Sequence, residues 1–436
     1  MTGTPGRPAV ANRLPPANDE GGSPYARIDG VDVAALAERV GTPFYAYSAG
    51  SIRRKIAGLL GALDGLDAVV CYAVKANPSL AVLRTMAEAG LGADIVSAGE
   101  LARCIRAGIP PTRIVFSGVG KSDAEIEYAI GLGIWKFNVE SHEELIAIDR
   151  IARRLGVGVQ AAVRVNPDVD AHTHAKISTG RAENKFGVPV DEAREWFAEA
   201  DALTHVRLNG LHAHIGSQIT ELGPFRLMLG RLASLARELT AAGHAIETID
   251  VGGGLGVAYR PEDRPVDVTD YAHALREGLD GFAGHVVLEP GRWLVAEAGV
   301  LVARVLRVKR GATRRFLVLD AAMNDLQRPA MYGAWHDIVP LHIGLRPTLR
   351  YDVVGPVCET GDTFATERAL PACEAGDLVV IATAGAYGAA MASTYNSRPL
   401  LAEVMLDEGR WSIARPRQSL AQLLATEPAT PAWETP

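Results

Sequence analysis

The sequence predicts an α/β fold in which a (β/α)8 TIM-like barrel is joined to a mainly antiparallel β domain. Three observations lead there. Short apolar runs alternate with amphipathic stretches through the middle of the chain, the alternation stops near Val300, and polar residues recur where the apolar runs end. Eight such runs within about 250 residues is the arithmetic of a closed parallel barrel.

The runs fall at residues 69–74, 93–96, 113–116, 135–139, 160–165, 208–215, 248–251 and 285–288. Between them, residues 80–89, 100–107, 124–130, 142–155 and 225–242 carry apolar side chains at helical spacing. Beyond Val300, residues 300–308, 316–319, 348–353, 377–382 and 401–406 read as strands with no helix regularly between them. Residues 31–40 have helical spacing. The run at 43–47 is surplus to the barrel count and is assigned to the β domain. The expected organisation is a Pro- and Gly-rich disordered tail at 1–25, a segment at 26–47 joining the β domain, the barrel at 48–298, the C-terminal β domain at 299–420, and a flexible tail at 421–436.

Composition narrows the partners. A net charge of -7 over 436 residues gives no basic footprint for nucleic acid or an anionic membrane surface. No apolar run approaches the roughly 18 residues of a membrane span. Cys71, Cys104, Cys358 and Cys373 form no CxxC pair and are too few for a disulfide framework, so a reducing cytoplasm is expected. Small molecules are the expected partners.

In a barrel of this kind the active site lies at the carboxyl ends of the strands. Lys75 ends the first run, Asp94 and Ser97 the second, Asn138 and Glu140 the fourth, and Arg164 and Asn166 the fifth. His214 and Ser217 follow the sixth, Asp250 and Gly252–Gly254 the seventh, and Glu289 and Arg292 the eighth. A lysine after a buried strand loses its proton at low cost and is then able to form a Schiff base. The plainer alternative is a rim lysine reaching water. The glycine loop suits an anion, barrels often hold phosphate after strands seven and eight, and Arg292 adds a guanidinium fork there.

His212 and His214, two apart on an expected strand, share a face. They read either as a metal pair or as one packed and one active-site histidine. The second is preferred, because further histidine and aspartate ligands are not evident at other strand ends, and no metal is expected. His172 and His174 read as surface or lid residues. Together, Lys75, the phosphate cradle and Glu289 point to pyridoxal 5'-phosphate, with Glu289 keeping the ring nitrogen protonated and His214 stacked on the ring. The residues alone thus indicate an enzyme acting on amino acids.

The stretches YAVKAN (72–77), HIGSQI (214–219), GGGLG (252–256), EPGR (289–292), CETGD (358–362) and GAYG (385–388) also carry a resemblance. In this order they resemble the barrel-type, fold-type III pyridoxal-phosphate decarboxylases, whose fold is alanine racemase/ornithine decarboxylase-like. Within that family the chain is most similar to the diaminopimelate decarboxylases, over residues 42–406. The resemblance implies that Lys75 is the Schiff-base lysine, that His214 stacks on the ring, and that Glu289 pairs with the pyridine nitrogen. It places Ser217, Gly252, Gly253, Gly254, Arg292 and Tyr387 at the phosphate or its surroundings. Arg292, Arg328, Tyr332, Glu359 and Tyr387 match positions that hold substrate, with Tyr395 close by.

A homodimer with shared active sites is likewise implied, Cys358 and Glu359 completing the partner's site and Cys358 protonating the carbon that has lost carbon dioxide. A lone cysteine is ordinarily a small buried hydrophobe; the residues flanking Cys358 favour the acid. The implied reaction converts meso-2,6-diaminopimelate to L-lysine and carbon dioxide, the last step of bacterial lysine biosynthesis. Arg328 suits the distal carboxylate and Glu359 the distal ammonium. The alternatives are a decarboxylase of a related diamino or carrier-bound amino acid, and a same-fold racemase, which would need a tyrosine base in place of the cysteine motif.

Overall fold

Parallel neighbours need a crossover connection, and the helical stretches between the apolar runs supply it. The computed structural model describes residues 23–171, 185–342 and 344–434. Its barrel strands are Ala68–Ala73, Gly92–Ile95, Ile114–Phe116, Lys136–Val139, Val159–Arg164, Val206–His212, Thr248–Asp250 and His285–Leu288. They lie in chain order, all parallel, and the eighth closes on the first with Val286 opposite Ala68. Each expected run overlaps a strand, with bounds shifted by no more than three residues at the ends. The sixth ends at His212 rather than at 215; beyond it Gly216 (φ 145°) and Gln218 (φ 64°) turn the chain, and Ile219 bridges Leu255 in the loop after the seventh.

Local chemistry sets the helix ends. Asp123–Leu132 begins in a reciprocal Ser122–Glu125 capping box and stops at Gly133, whose φ of 72° suits a residue without a side chain. The structure adds helices at Ala49–Ala62, Val190–Ala198 and Val268–Gly278 to those expected. Phe225 on helix Leu222–Ala241 meets Tyr271 on Val268–Gly278 edge-on at 4.9 Å. Such a ring pair adds about 0.5–1.5 kcal/mol beyond its buried area.

The chain divides into two compact units, one comprising Ile52–Ala296 and the other running to Ser51 and resuming at Glu297. In the second, Phe44–Ser48 is buried throughout, antiparallel to Gly299–Arg310 and parallel to Ala402–Asp407. Its tyrosines bury their rings and bond their hydroxyls: Tyr45 donates to the Asp325 carbonyl and Tyr47 to Glu403 Oε2, both at 2.7 Å. The sheet is mostly antiparallel, with Arg315–Leu319 and Thr348–Val354 as a second parallel pair. Ile338–Pro340, Thr363–Pro371 and Arg410–Arg415 are strands beyond those expected. Where the flexible tail is expected, Leu420–Leu424 forms a short helix with reciprocal Ser419–Gln422 caps. Residues 1–22 of the expected tail, and His172 and His174, lie outside the described residues.

Candidate active site

Lys75 stands in a single 3-10 turn, Val74–Ala76, directly after the first barrel strand. The turn is held from both sides. Tyr72 donates its hydroxyl to the Asn77 carbonyl at 3.1 Å, and Asn77 Oδ1 accepts the Ser79 N–H at 3.0 Å. Gly291 packs so closely that a Cβ there would stand 3.0 Å from those of Ala73 and Ala76, which brings the loop after the eighth strand against the lysine turn. The Lys75 side chain is 37% exposed, and its Nζ lies 2.7 Å from Oδ2 of the fully buried Asp94. Asp94 Oδ1 is buried without a hydrogen-bond partner among the described residues. Half-buried Glu100 stands near the pair, its carboxyl pushed up to about 7 by burial, with the Val96 N–H bonded to Oε2 at 2.8 Å.

Beneath this, Glu289 is 4% exposed. Its Oε1 accepts from Asn138 Nδ2 at 3.1 Å and the Ser117 hydroxyl at 3.4 Å, leaving Oε2 beside His212 Nε2 at 3.4 Å. Burial pushes the Glu289 carboxyl up to about 7, nearby Asp94 pushes the same way, and the cations Lys75, Lys136 and Arg164 oppose the rise. Buried His212 is pushed down to about 4, chiefly by desolvation, and its ring nitrogens make no hydrogen bond among the described residues. Asp250, also buried and raised to about 6 by desolvation and then Glu289, pairs with Lys136 at 3.2 Å. Ligand-type atoms of His212, Asp250 and Glu289 lie within 4.8 Å of one another, but the Lys136 ammonium already meets the charge of Asp250.

His214 lies past the end of its strand, so the alternation that would align it with His212 does not apply. Its Nδ1 accepts the Gly253 N–H at 3.1 Å, and burial, Arg164 and Lys75 hold its pKa well below the usual value, consistent with an unprotonated acceptor. The Gly252 N–H is bonded to Asp250 Oδ1 at 3.1 Å. Two amides of the expected anion loop are therefore turned to side chains. At Gly253 a Cβ would stand 2.2 Å from the Glu289 carbonyl oxygen, so this loop and Glu289 pack together only through a glycine. Arg292, 6% exposed, directs Nε and Nη2 to Ser217 Oγ at 3.2 and 3.1 Å and Nη1 to the Tyr259 hydroxyl at 2.6 Å. Arg164 pairs with Glu140 at 2.7 Å, and Ser97 caps the helix Ala98–Ala107 through the Glu100 N–H.

In the other unit, Arg328 opens the short helix Arg328–Tyr332 and is 6% exposed. Its Nη1 lies 2.8 Å from His336 Nε2, and His336 Nδ1 lies 2.8 Å from the Ala382 carbonyl. The carbonyl requires a proton on Nδ1, which leaves Nε2 to accept from arginine. Cys358 is exposed, unlike the buried Cys71, Cys104 and Cys373. The turn bearing Cys358 and exposed Glu359 is pinned by Asp362, which accepts the Met323 and Val357 N–H groups at 2.7 Å each, while the Cys358 N–H bonds to Asn396 Oδ1 at 3.1 Å. Tyr332 and Tyr387 are half-buried, Tyr387 at φ 56°, and Tyr395 is 45% exposed.

Lys136, Ser117, Tyr259, Glu100 and His336 carry no site signature that the sequence makes legible. The available signal was a lysine inside the apolar run 135–139. The barrel unit offers an accessible amine, an imidazole, a guanidinium–hydroxyl pair and a deeply buried acid, and this donor set fits pyridoxal phosphate. Glu289 decides the fit: burial raises its carboxyl to about 7, and neutral His212 beside it offers no charge, so a protonated ring nitrogen placed there would favour the ionised form.

Comparison with known proteins gives a consistent picture. A family model described as "Pyridoxal-dependent decarboxylase, pyridoxal binding domain" matches residues 49–296. Diaminopimelate decarboxylase of Zymomonas mobilis subsp. mobilis is 46% identical over 404 residues, covering 92% of this chain and 96% of that one. The Pseudomonas aeruginosa diaminopimelate decarboxylase is 47% identical over 403 residues, covering 92% and 97%. Among solved structures, diaminopimelate decarboxylase from Helicobacter pylori complexed with L-lysine superposes with a TM-score of 0.88 at 42% identity, covering 91% of this chain and 99% of that one.

Proposed function

We propose that this chain, which belongs to the pyridoxal-dependent decarboxylases, removes one carboxyl group from meso-2,6-diaminopimelate to leave L-lysine and carbon dioxide. The observation that carries the reading is the accessible Lys75 amine beside Asp94, above the buried acid Glu289. When bound, pyridoxal 5'-phosphate supplies the electron sink for the pair left behind as carbon dioxide departs.

The chain's own groups do the rest. Lys75 would hold the cofactor through Nζ, the amine that Asp94 orients. Glu289 would pair with the cofactor's ring nitrogen and keep a proton there, and His214 would contact the ring. Arg292 and Ser217 would hold the phosphate, with Gly252–Gly254 and Tyr387 at its surroundings. Arg328 would take the substrate's distal carboxylate bidentately, with Tyr332 also holding substrate, and the partner subunit's Glu359 would take the distal ammonium. The enzyme works as a cytoplasmic homodimer in which the partner subunit's Cys358 delivers a proton from Sγ to the carbon that has lost its carboxylate. The exposure of Cys358 on a pinned turn supports this reading.

The test is carbon dioxide release by the cofactor-loaded protein from meso-diaminopimelate, L-lysine, L-ornithine and L-arginine in parallel. Release from diaminopimelate alone, with L-lysine formed, is expected. Release from another amino acid instead would overturn the substrate assignment.

A further inference from the structure

The barrel interior near Glu289 contains a buried ion pair, one member of which, Asp250, also accepts the Gly252 N–H at 3.1 Å. Lys136 and Asp250 come from the fourth and seventh strands, with side chains 1% and 0% exposed and 3.2 Å apart. Asn138, two residues beyond Lys136 and so on the same face of its strand, joins them to Glu289. Its Nδ2 lies 3.3 Å from Asp250 Oδ2, 3.1 Å from Glu289 Oε1 and 3.1 Å from Ser117 Oγ. One amide group thus spans two buried carboxylates, and Lys136 neutralises only one of them.

We propose that Lys136 and Asp250 are positioning residues that set the ionisation of Glu289 through Asn138, an inference resting on the reading of Glu289 as partner of the cofactor's ring nitrogen. With the ion pair intact, the charge of Asp250 is balanced and Glu289 is free to carry its own negative charge. Without Lys136, two bridged carboxylates face each other in low dielectric, and one of them keeps a proton. Without Asp250, a lone cation stands near Glu289 and draws its proton off at lower pH. The two losses act in opposite directions, which a merely structural role would not produce.

The other groups facing this pair are accounted for. Lys75 follows the first strand, Asp94 is on the second, Arg164 on the fifth and His212 on the sixth, and each acts on Glu289 or Asp250. Cys71 on the first strand and Tyr271 on a surrounding helix are neutral, their own pKa values raised by burial. Of these, His212 and Cys71 also feel Lys136 and Asp250, and Tyr271 feels Asp250, so the Glu289 band is read on its own, by its loss in Glu289→Gln.

The experiment titrates the Glu289 carboxyl in cofactor-free protein by infrared difference spectroscopy, the band being identified by its loss in Glu289→Gln. Lys136→Met should raise the midpoint by about one pH unit or more, Asp250→Asn should lower it, and the double variant should return near wild type. The pH dependence of pyridoxal phosphate affinity should move with the band. If Lys136→Met does not fold, a fall in Asp250→Asn that is reversed in the double variant decides for the proposal. No shift, or shifts of one sign in both single variants, would overturn it. The carboxyl titration needs neither cofactor nor turnover, so a failed substrate assignment would leave it interpretable.

Discussion

The Lys75 ammonium lies 2.7 Å from Oδ2 of Asp94, and the other oxygen of that carboxylate is buried without a hydrogen-bond partner among the described residues. Asp94 is thus committed to the lysine and decides where its Nζ points. Asp94→Asn should still fold but lose roughly tenfold in turnover, the lower part of the range for a hydrogen bond to a charged group because Lys75 is 37% exposed. Steady-state carbon dioxide release together with cofactor absorbance checks this; unchanged turnover would remove Asp94 from the site.

Burial raises Glu289 from 4.5 to about 7, and that has a signature in stability. Below 4.5 the group is protonated folded and unfolded alike. Between 4.5 and 7 the unfolded chain has released the proton while the folded chain retains it, so folding weakens as pH rises, and above 7 the loss is complete. Cofactor-free wild type should therefore lose stability relative to Glu289→Gln across that window, by up to about 1.4 kcal/mol per pH unit. Thermal unfolding of both proteins against pH tests the sign; parallel curves would contradict it.

Arg328 is buried and oriented by His336, whose other nitrogen is fixed by the Ala382 carbonyl. On the proposed reading, replacing the guanidinium with a neutral chain removes a two-pronged carboxylate contact. Arg328→Met should raise KM for diaminopimelate by about 10–100-fold with a smaller change in kcat. Equal KM values in the two proteins would show that Arg328 does not hold the substrate.

Cofactor-loaded Cys358→Ala should keep its absorbance and turn over slowly. Mixed with Lys75→Ala under conditions that exchange subunits, it should gain activity well above that of either variant alone, because one hybrid site then carries both native residues. No recovery in a mixture shown to form heterodimers would place Cys358 within its own subunit's site.

Much of the barrel is legible in the sequence because its strands are buried on both faces and read as unbroken apolar runs. Helix Ala49–Ala62 escapes notice because Gly50, Gly58 and Gly61 blur its pattern. Strand Thr363–Pro371 escapes because Glu367, at φ 51°, breaks the alternation where its ladder shifts register. At the site, Lys75, Glu289 and Arg292 are legible because they follow strand ends. Lys136 is not, because its partner Asp250 lies 114 residues away and only barrel closure brings the two together. The turning of the Gly252 and Gly253 amides onto Asp250 and His214 likewise depends on the packed loops rather than on the glycine pattern.

The most direct test of the central assignment compares wild type and Lys75→Ala, each supplied with excess pyridoxal phosphate, for carbon dioxide release from meso-diaminopimelate and for the absorbance of covalently held cofactor. Wild type should show both, and Lys75→Ala should show neither while remaining folded. A Lys75→Ala protein that releases carbon dioxide at the wild-type rate would contradict the assignment of the chemistry to this lysine.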